Sequence, residues 1–349
     1  MIVVYTLEQS EQWDAVVRSF SDYDVYWLSG YVKAFKIHGD GEPLLFLYEK
    51  DQTRGINVVM KRDVALDKHF KGNLECNKYF DFITPYGYGG WLIEGENKDG
   101  LFSEYENWCQ KNGIICEFVR FHPVLKNHRF SSGAYDVVQL GNTVALDLSS
   151  PEVIWGNIIS KNRNMIRKAE KNNIKIYNGR YPAIYEEFRA IYNATMDKDH
   201  AEKYYYFSEE FYKSVLEDLP LNSQVFYAVL ENKVIAASIM LTANGRMNYH
   251  LSGSVLEYRN LAPSNLLLYK AALWGCEQGY RTFHLGGGVG SGEDNLYKFK
   301  AAFNKNSDYQ FSIGKKISNE EKYKKLVEIR RNEDPTFDET SKFFPLYRS

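Results

Sequence analysis

The run from Met247 to Phe303 limits the fold more than any other part of this chain. It reads MNYHLSGSV, LEYRNLAPSNLLLYKAALWGCEQGY, RTFHLGGG and NLYKFKAAF. The spacing predicts a strand over 247–255, a tight turn, an apolar helix over 264–278 and a second strand over 281–285. A glycine cluster and a short basic helix follow. Strands alternating with helices call for a mixed α/β sheet. The turn before the helix suits an anion, because a helix start carries N–H groups without intrahelical partners and the positive end of the dipole. Arg259 precedes that turn, and Ala262, Pro263 and Ser264 lead into it. Ser264 or Asn265 is available as cap, with Pro263 restricting the approach.

The rest of the chain repeats that alternation. In the first half, strands are expected at 2–5, 43–49, 56–64 and 114–124, with a strand pair at 137–148 broken at Gly141-Asn142. Helices are expected at 10–20, 27–38 and 101–111. The second half gives strands at 174–177, 224–230, 234–241 and 309–313, and helices at 185–195 and 208–219. A terminal helix over 318–331 opens on Ser318-x-x-Glu321, a capping box. Both halves share an element order. This predicts two α/β (α+β) domains of one fold, over 1–149 and 150–316, and a C-terminal helix and tail over 317–349.

A chain of 349 residues suffices for two domains. Its net charge of −2 excludes a broad nucleic-acid surface, leaving only local basic patches. One such patch is Ser160–Lys171, where Arg163, Arg167 and Lys171 are four apart and share a helix face. It reads either as a phosphate site or as a solvated face. Cys76, Cys109, Cys116 and Cys276 form no C-x-x-C pair and read as reduced thiols of a cytoplasmic protein. No metal-ligand cluster, nucleotide P-loop or dinucleotide glycine run is present. No apolar run is long enough to span a membrane.

Residues 259–264, Arg-Asn-Leu-Ala-Pro-Ser, resemble the Arg/Gln-x-x-Gly-x-Gly/Ala turn of the GNAT acyltransferases, whose amides hold the pyrophosphate of coenzyme A. Ala262 and Ser264 replace both glycines, so the backbone approaches a phosphate less closely. The tandem layout resembles the Fem-type peptidyltransferases and their GNAT relatives. These attach amino acids, carried by aminoacyl-tRNA, to the peptide of a cell-wall precursor. The resemblance is strongest at 82–91, 118–123, 160–176 and 247–303. It implies two tandem GNAT-like domains with mixed, mostly antiparallel sheets. Several Fem enzymes carry a long helical-hairpin arm, for which the span 197–208 is too short.

The resemblance also implies roles. Lys300, in Phe299-Lys300-Ala-Ala-Phe303, matches a Phe-Lys-x-x-Phe run and can stabilise a developing oxyanion. His250 can take a proton from an attacking amine, or serve as a buried structural histidine. Alternation puts His250 with Asn248 and Ser252 on one strand face and Tyr249 on the other. Donor binding falls to Arg259, Ala262, Ser264, Asn265, Arg163 and Arg167. Acceptor binding falls to Asp81, Tyr86, Arg120 and His122 of the first domain and to His284. Arg120 reads equally as a structural ion pair. The function implied is transfer of an acyl group, with acyl-CoA the favoured donor, onto an amine of a cell-envelope precursor such as an amino sugar or a peptidoglycan peptide. The alternatives are an aminoacyl-tRNA donor, or a non-catalytic envelope-assembly or ligand-binding protein that keeps the fold.

Overall fold

The computed structural model describes residues 1–349. Its strands, in chain order, are β1 (Ile2–Tyr5), β2 (Glu42–Lys50), β3 (Thr53–Asp63), β4 (Phe80–Ile83), β5 (Leu92–Glu94), β6 (Ile114–Arg120) and β7 (Asp136–Asp147). They continue as β8 (Lys175–Gly179), β9 (Ser223–Leu230), β10 (Lys233–Ala243), β11 (Arg246–Ser254), β12 (Thr282–Gly286) and β13 (Tyr309–Ile317). The α-helices are α1 (Ser10–Arg18), α2 (Ser29–His38), α3 (Lys98–Lys111), α4 (His128–Ser131), α5 (Pro151–Asn157) and α6 (Ser160–Lys171). Then come α7 (Pro182–Lys198), α8 (Glu209–Asp218), α9 (Pro263–Glu277), α10 (Asn295–Ala301) and α11 (Glu320–Glu333).

Two compact units form, one of Met1–Leu140 with Ser312–Ser349 and one of Gly141–Phe311. The boundary therefore lies inside β7 rather than at 149/150. The C-terminal stretch 317–349, expected to stand apart, belongs to the first unit. The cause is pairing: β13 runs antiparallel to β6, from Ile313 opposite Arg120 to Ile317 opposite Cys116.

In the first unit the sheet order is β1-β2-β3-β4-β6-β13, with β5 on β3. Only β4 and β6 pair in parallel. In the second the order is β7-β12-β11-β10-β9-β8, and only β11 and β12 are parallel. A parallel pair needs a crossover. Helix α3 lies in one connection and α9 in the other, so the two units repeat a strand–helix–strand core inside mostly antiparallel sheets.

Helix α9 buries Leu266, Leu267, Leu268, Ala271, Ala272 and Gly275. Gly275 lets it lie close, since a Cβ there would meet the Met247 sulfur at 2.6 Å. Around it stand Phe226, Ile235, Met240, Phe283 and Phe303. Each fully buried side chain of this size contributes about 1.5–3 kcal/mol.

Two local readings change. Gly141-Asn142 does not break 137–148, which is the single strand β7. Gly141 is needed because its Cα faces the Ser291 carbonyl too closely for a Cβ. Helix α11 is capped by the Asn319 side chain, which accepts from the Lys322 amide at 3.0 Å. Ser318 instead donates to Glu106 at 3.0 Å, so the expected capping box does not form.

Candidate active site

Lys300 is a buried ammonium group of the second unit. Asp294 caps α10 by accepting from the Tyr297 amide at 2.8 Å, and its other oxygen accepts from the Val289 amide at 3.2 Å. This folds the 286–292 glycine loop onto the helix start. Lys300, two turns further on, is 8% exposed. Its Nζ donates to the Gly287 carbonyl at 2.6 Å and stands 6.0 Å from the Tyr249 ring centre. Burial pulls its pKa down from 10.5 to about 8, against an opposing pull from Asp294. An ammonium held this way at neutral pH is a strong donor to a developing anion and is close to giving up its proton.

Strand β11 carries a bulge at this place. Ile239 faces Leu251 and Met240 faces Tyr249, so the register steps over His250. An extra residue in one strand shifts the faces beyond it. Tyr249 accordingly interacts with Ser252 and Ser238, and Ser238 donates to Ser252 at 3.0 Å. The expected alternation, with Tyr249 opposite Ser252, fails for this reason. Tyr249 and Asp294 are the residues that sequence reasoning missed as neighbours of Lys300. Asp294, three residues before Tyr297, carried a cap signal. The bulge carried none.

His250 has a different character from the base expected of it. Burial pushes its imidazole down to about 3, so it is neutral, and weakly basic, across the physiological range. We expect His250→Ala to leave the pH–rate profile between pH 5 and 9 unmoved. A limb that disappears from the His250→Ala profile in that window would restore the base.

His284 is 3% exposed. Its Cα partners are Asn248 on β11 and Ala145 on β7. It is buried on β12, a central strand of the second unit's sheet.

The turn expected to hold an anion keeps the conformation a glycine would give it. Ala262 has φ +60° and ψ +44° and is the N-cap of α9. A left-handed alanine costs roughly 1–2 kcal/mol, which the surrounding packing must hold. Pro263 removes one amide. Arg259 is exposed and its Nε donates to Ser254 Oγ at 3.1 Å. Ser264 and Asn265 form the first turn of α9, and Asn265 Nδ2 donates to Asn162 Oδ1 on α6 at 2.7 Å.

Helix α6 follows a helix capped by Ser150, with Pro151 at its first turn. Arg163 and Arg167 lie 6.0 and 5.2 Å from the Trp155 ring centre. Arg163 also donates to the Trp155 carbonyl at 3.3 Å. Trp155 in turn packs on Tyr269 of α9, 5.1 Å between ring centres. The donor residues expected on α6 and α9 thus belong to one helix pair.

In the first unit the expected acceptor residues divide. Arg120 donates from its backbone to Thr84 Oγ1 at 3.1 Å and from its guanidinium to the Thr84 carbonyl at 3.4 Å. Tyr86 stacks on Phe35, 5.6 Å between ring centres, and its carbonyl accepts from the Tyr31 hydroxyl. His122 is fully buried; its Nε2 meets Asp24 Oδ2 at 3.0 Å, and its Nδ1 accepts from the Leu125 amide at 3.2 Å. Its ring is 5.3 Å from that of Tyr88. Tyr88, which also interacts with Tyr86 and Arg120, joins these residues in one cluster. Asp81 is not part of it. Asp81 is fully buried and held by Arg62, Tyr347 and Arg348. A second buried carboxylate, Glu117, accepts from Asn57, Tyr105 and Tyr135 at 2.7–2.9 Å. Burial raises its pKa, although all three donors pull it down.

No three His, Cys, Asp or Glu side chains come together as a metal site, and no helix is long and apolar enough to cross a membrane.

Residues 160–300 match the model of an acetyltransferase (GNAT) domain. The match lies within the second unit and marks an acetyltransferase-type domain there, and the protein is an acyltransferase. No curated protein matches the chain in sequence. Among solved structures, FemX superimposes with a TM-score of 0.69 at 13% identity, covering 93% of this chain and 99% of its own. A conserved protein of unknown function from Bacteroides thetaiotaomicron gives 0.60 at 13% identity, covering 90% and 99%. The C-terminal domain of a protein named as a lysylphosphatidylglycerol synthetase, from Agrobacterium fabrum, gives 0.55 at 14%, covering 88% and 91%. These likenesses show the fold, two GNAT-like domains in tandem, over nearly the whole chain.

Proposed function

We propose that the protein transfers an acyl group from acyl-CoA to an amine of a cell-envelope precursor, such as an amino sugar or a peptidoglycan peptide. The observation that carries this reading is Lys300. It is buried beside the β11 bulge, holds the Gly287 carbonyl at 2.6 Å, and has a pKa of about 8. Within a GNAT domain such an ammonium can stabilise the oxyanion formed when the amine attacks the donor carbonyl, and direct attack needs no covalent enzyme intermediate. The donor's phosphates sit at the start of α9, with Arg259, Arg163 and Arg167 as the nearby cations. The envelope acceptor is supported by the neighbours' names, FemX and a lysylphosphatidylglycerol synthetase. The aromatic cluster of Tyr86, Arg120 and His122 is the acceptor-binding part of this reading.

Calorimetry with acetyl-CoA tests the donor. Binding is expected in the micromolar to millimolar range. It should weaken with salt, since phosphate contacts are screened, and Arg259→Ala should weaken it several-fold. No heat at millimolar acetyl-CoA would turn the reading to aminoacyl-tRNA. One feature already favours that second donor: Pro263 and the alanine at 262 leave the turn fewer and less approachable amides for a pyrophosphate.

A further inference from the structure

We propose that Asn162 is a phosphate-binding residue, aimed at the start of α9 from the neighbouring helix. This rests on the donor reading above and adds a residue to it. Asn162 is the third residue of α6 and Asn265 the third of α9. Their side chains meet at 2.7 Å, Asn265 Nδ2 donating to Asn162 Oδ1. The first turns of the two helices therefore converge on one spot. Neither helix has a side-chain cap bond. On α6 the first amide to bond back is that of Arg163, to the Ile159 carbonyl at 3.0 Å. The amides of Ser160, Lys161 and Asn162 precede it, and α9 adds those of Ser264 and Asn265.

Asn162 supplies the second, independent sign of a ligand. The residue is 3% exposed, and its Nδ2 has no hydrogen-bond acceptor. A buried amide N–H left without an acceptor is costly, and such groups in folded proteins have a reason. An anion placed between two helix N-termini is that acceptor, and both dipoles favour it. Asn265 is half-buried, so its side chain can turn aside as the anion enters. The ligand chemistry is a phosphate or pyrophosphate. Coenzyme A and the backbone of an RNA 3′ end both present it.

The test uses the full chain and three probes: coenzyme A, inorganic pyrophosphate and unacylated tRNA. Asn162→Asp keeps the size and the oxygen that Asn265 holds, and replaces the spare N–H₂ by an anionic oxygen. Asn162→Leu removes the spare donor altogether. Thermal unfolding without ligand confirms that each variant folds. Binding of the preferred probe should fall at least about tenfold in Asn162→Asp and several-fold in Asn162→Leu. If coenzyme A binds the wild type and both variants alike, the role of Asn162 is overturned and the donor reading stands. If pyrophosphate or tRNA binds in an Asn162-dependent way and coenzyme A does not bind, Asn162 stands and the acyl-CoA donor falls. If the wild type binds none of the three at millimolar concentration, both fall.

Discussion

Lys300→Met is expected to lower turnover by roughly ten- to a thousand-fold, by analogy with the loss of one oxyanion donor, and at the same time to stabilise the fold. The two effects share one cause. Burial takes the ammonium out of water and drops its pKa from 10.5 to about 8. On the function proposed above, the protein holds that charge at a cost because the reaction uses it. The unfolded chain binds this proton more tightly than the folded one, so wild-type stability should rise with pH between about 8 and 10.5. Below pH 8 the penalty is fully present. Methionine has nearly the same length and no charge, so at pH 7 the variant should gain about 1–3 kcal/mol, less what the lost bond to Gly287 contributed. Its stability should no longer climb through pH 8–10. Turnover, read as thiol released from acetyl-CoA with an amino-sugar acceptor, should show a wild-type limb that falls as pH rises through about 8, where the ammonium is lost. Lys300→Met should lack that limb. Full activity in the variant would sink the assignment.

The block 247–303 was legible because its signals are local. Apolar spacing, Pro263 at a helix start and the glycines after β12 act within a few residues of one another. The helix start at Ser208 was legible for the same reason, and its side chain accepts from the Phe211 amide at 3.3 Å. Three features were hidden. The bulge at His250 is a fault in pairing, not in composition, and it alone moves Tyr249 to the side of Ser238 and Lys300. The convergence of Asn162 and Asn265 joins positions 103 residues apart. The partners of Asp81 include Tyr347 and Arg348, 266 and 267 residues away. A pattern of residue types along the chain suggested a carboxylate for an acceptor. It could not show that the chain's own tail reaches that carboxylate.

Asp81→Ala is accordingly expected to destabilise the first unit by about 3–5 kcal/mol, the scale of breaking a buried ion pair from one side. Asp81 accepts from Arg62 Nε at 2.7 Å, from Arg348 Nε at 2.6 Å and from the Tyr347 hydroxyl at 2.8 Å. Tyr347 is fully buried, and the side chain of Arg348 is 10% exposed. Removing the carboxylate leaves Arg348 with Asp67 alone, at 2.7 Å, and strands the tyrosine hydroxyl in the core. The pH dependence has a definite sign. Burial by itself would raise the Asp81 pKa, but Arg62 and Arg348 outweigh it and hold the group below 3.8. Stability from this group is therefore complete above the unfolded value and is lost as pH falls through the lower folded one. Chemical denaturation of wild type and Asp81→Ala should converge only in strong acid. Deleting 345–349 should cost a similar amount at neutral pH, because it strands the same carboxylate against Arg62. A variant as stable as wild type that has lost affinity for its amine acceptor would reverse the conclusion. Asp81 would then be the acceptor residue first expected, and the tail merely its neighbour.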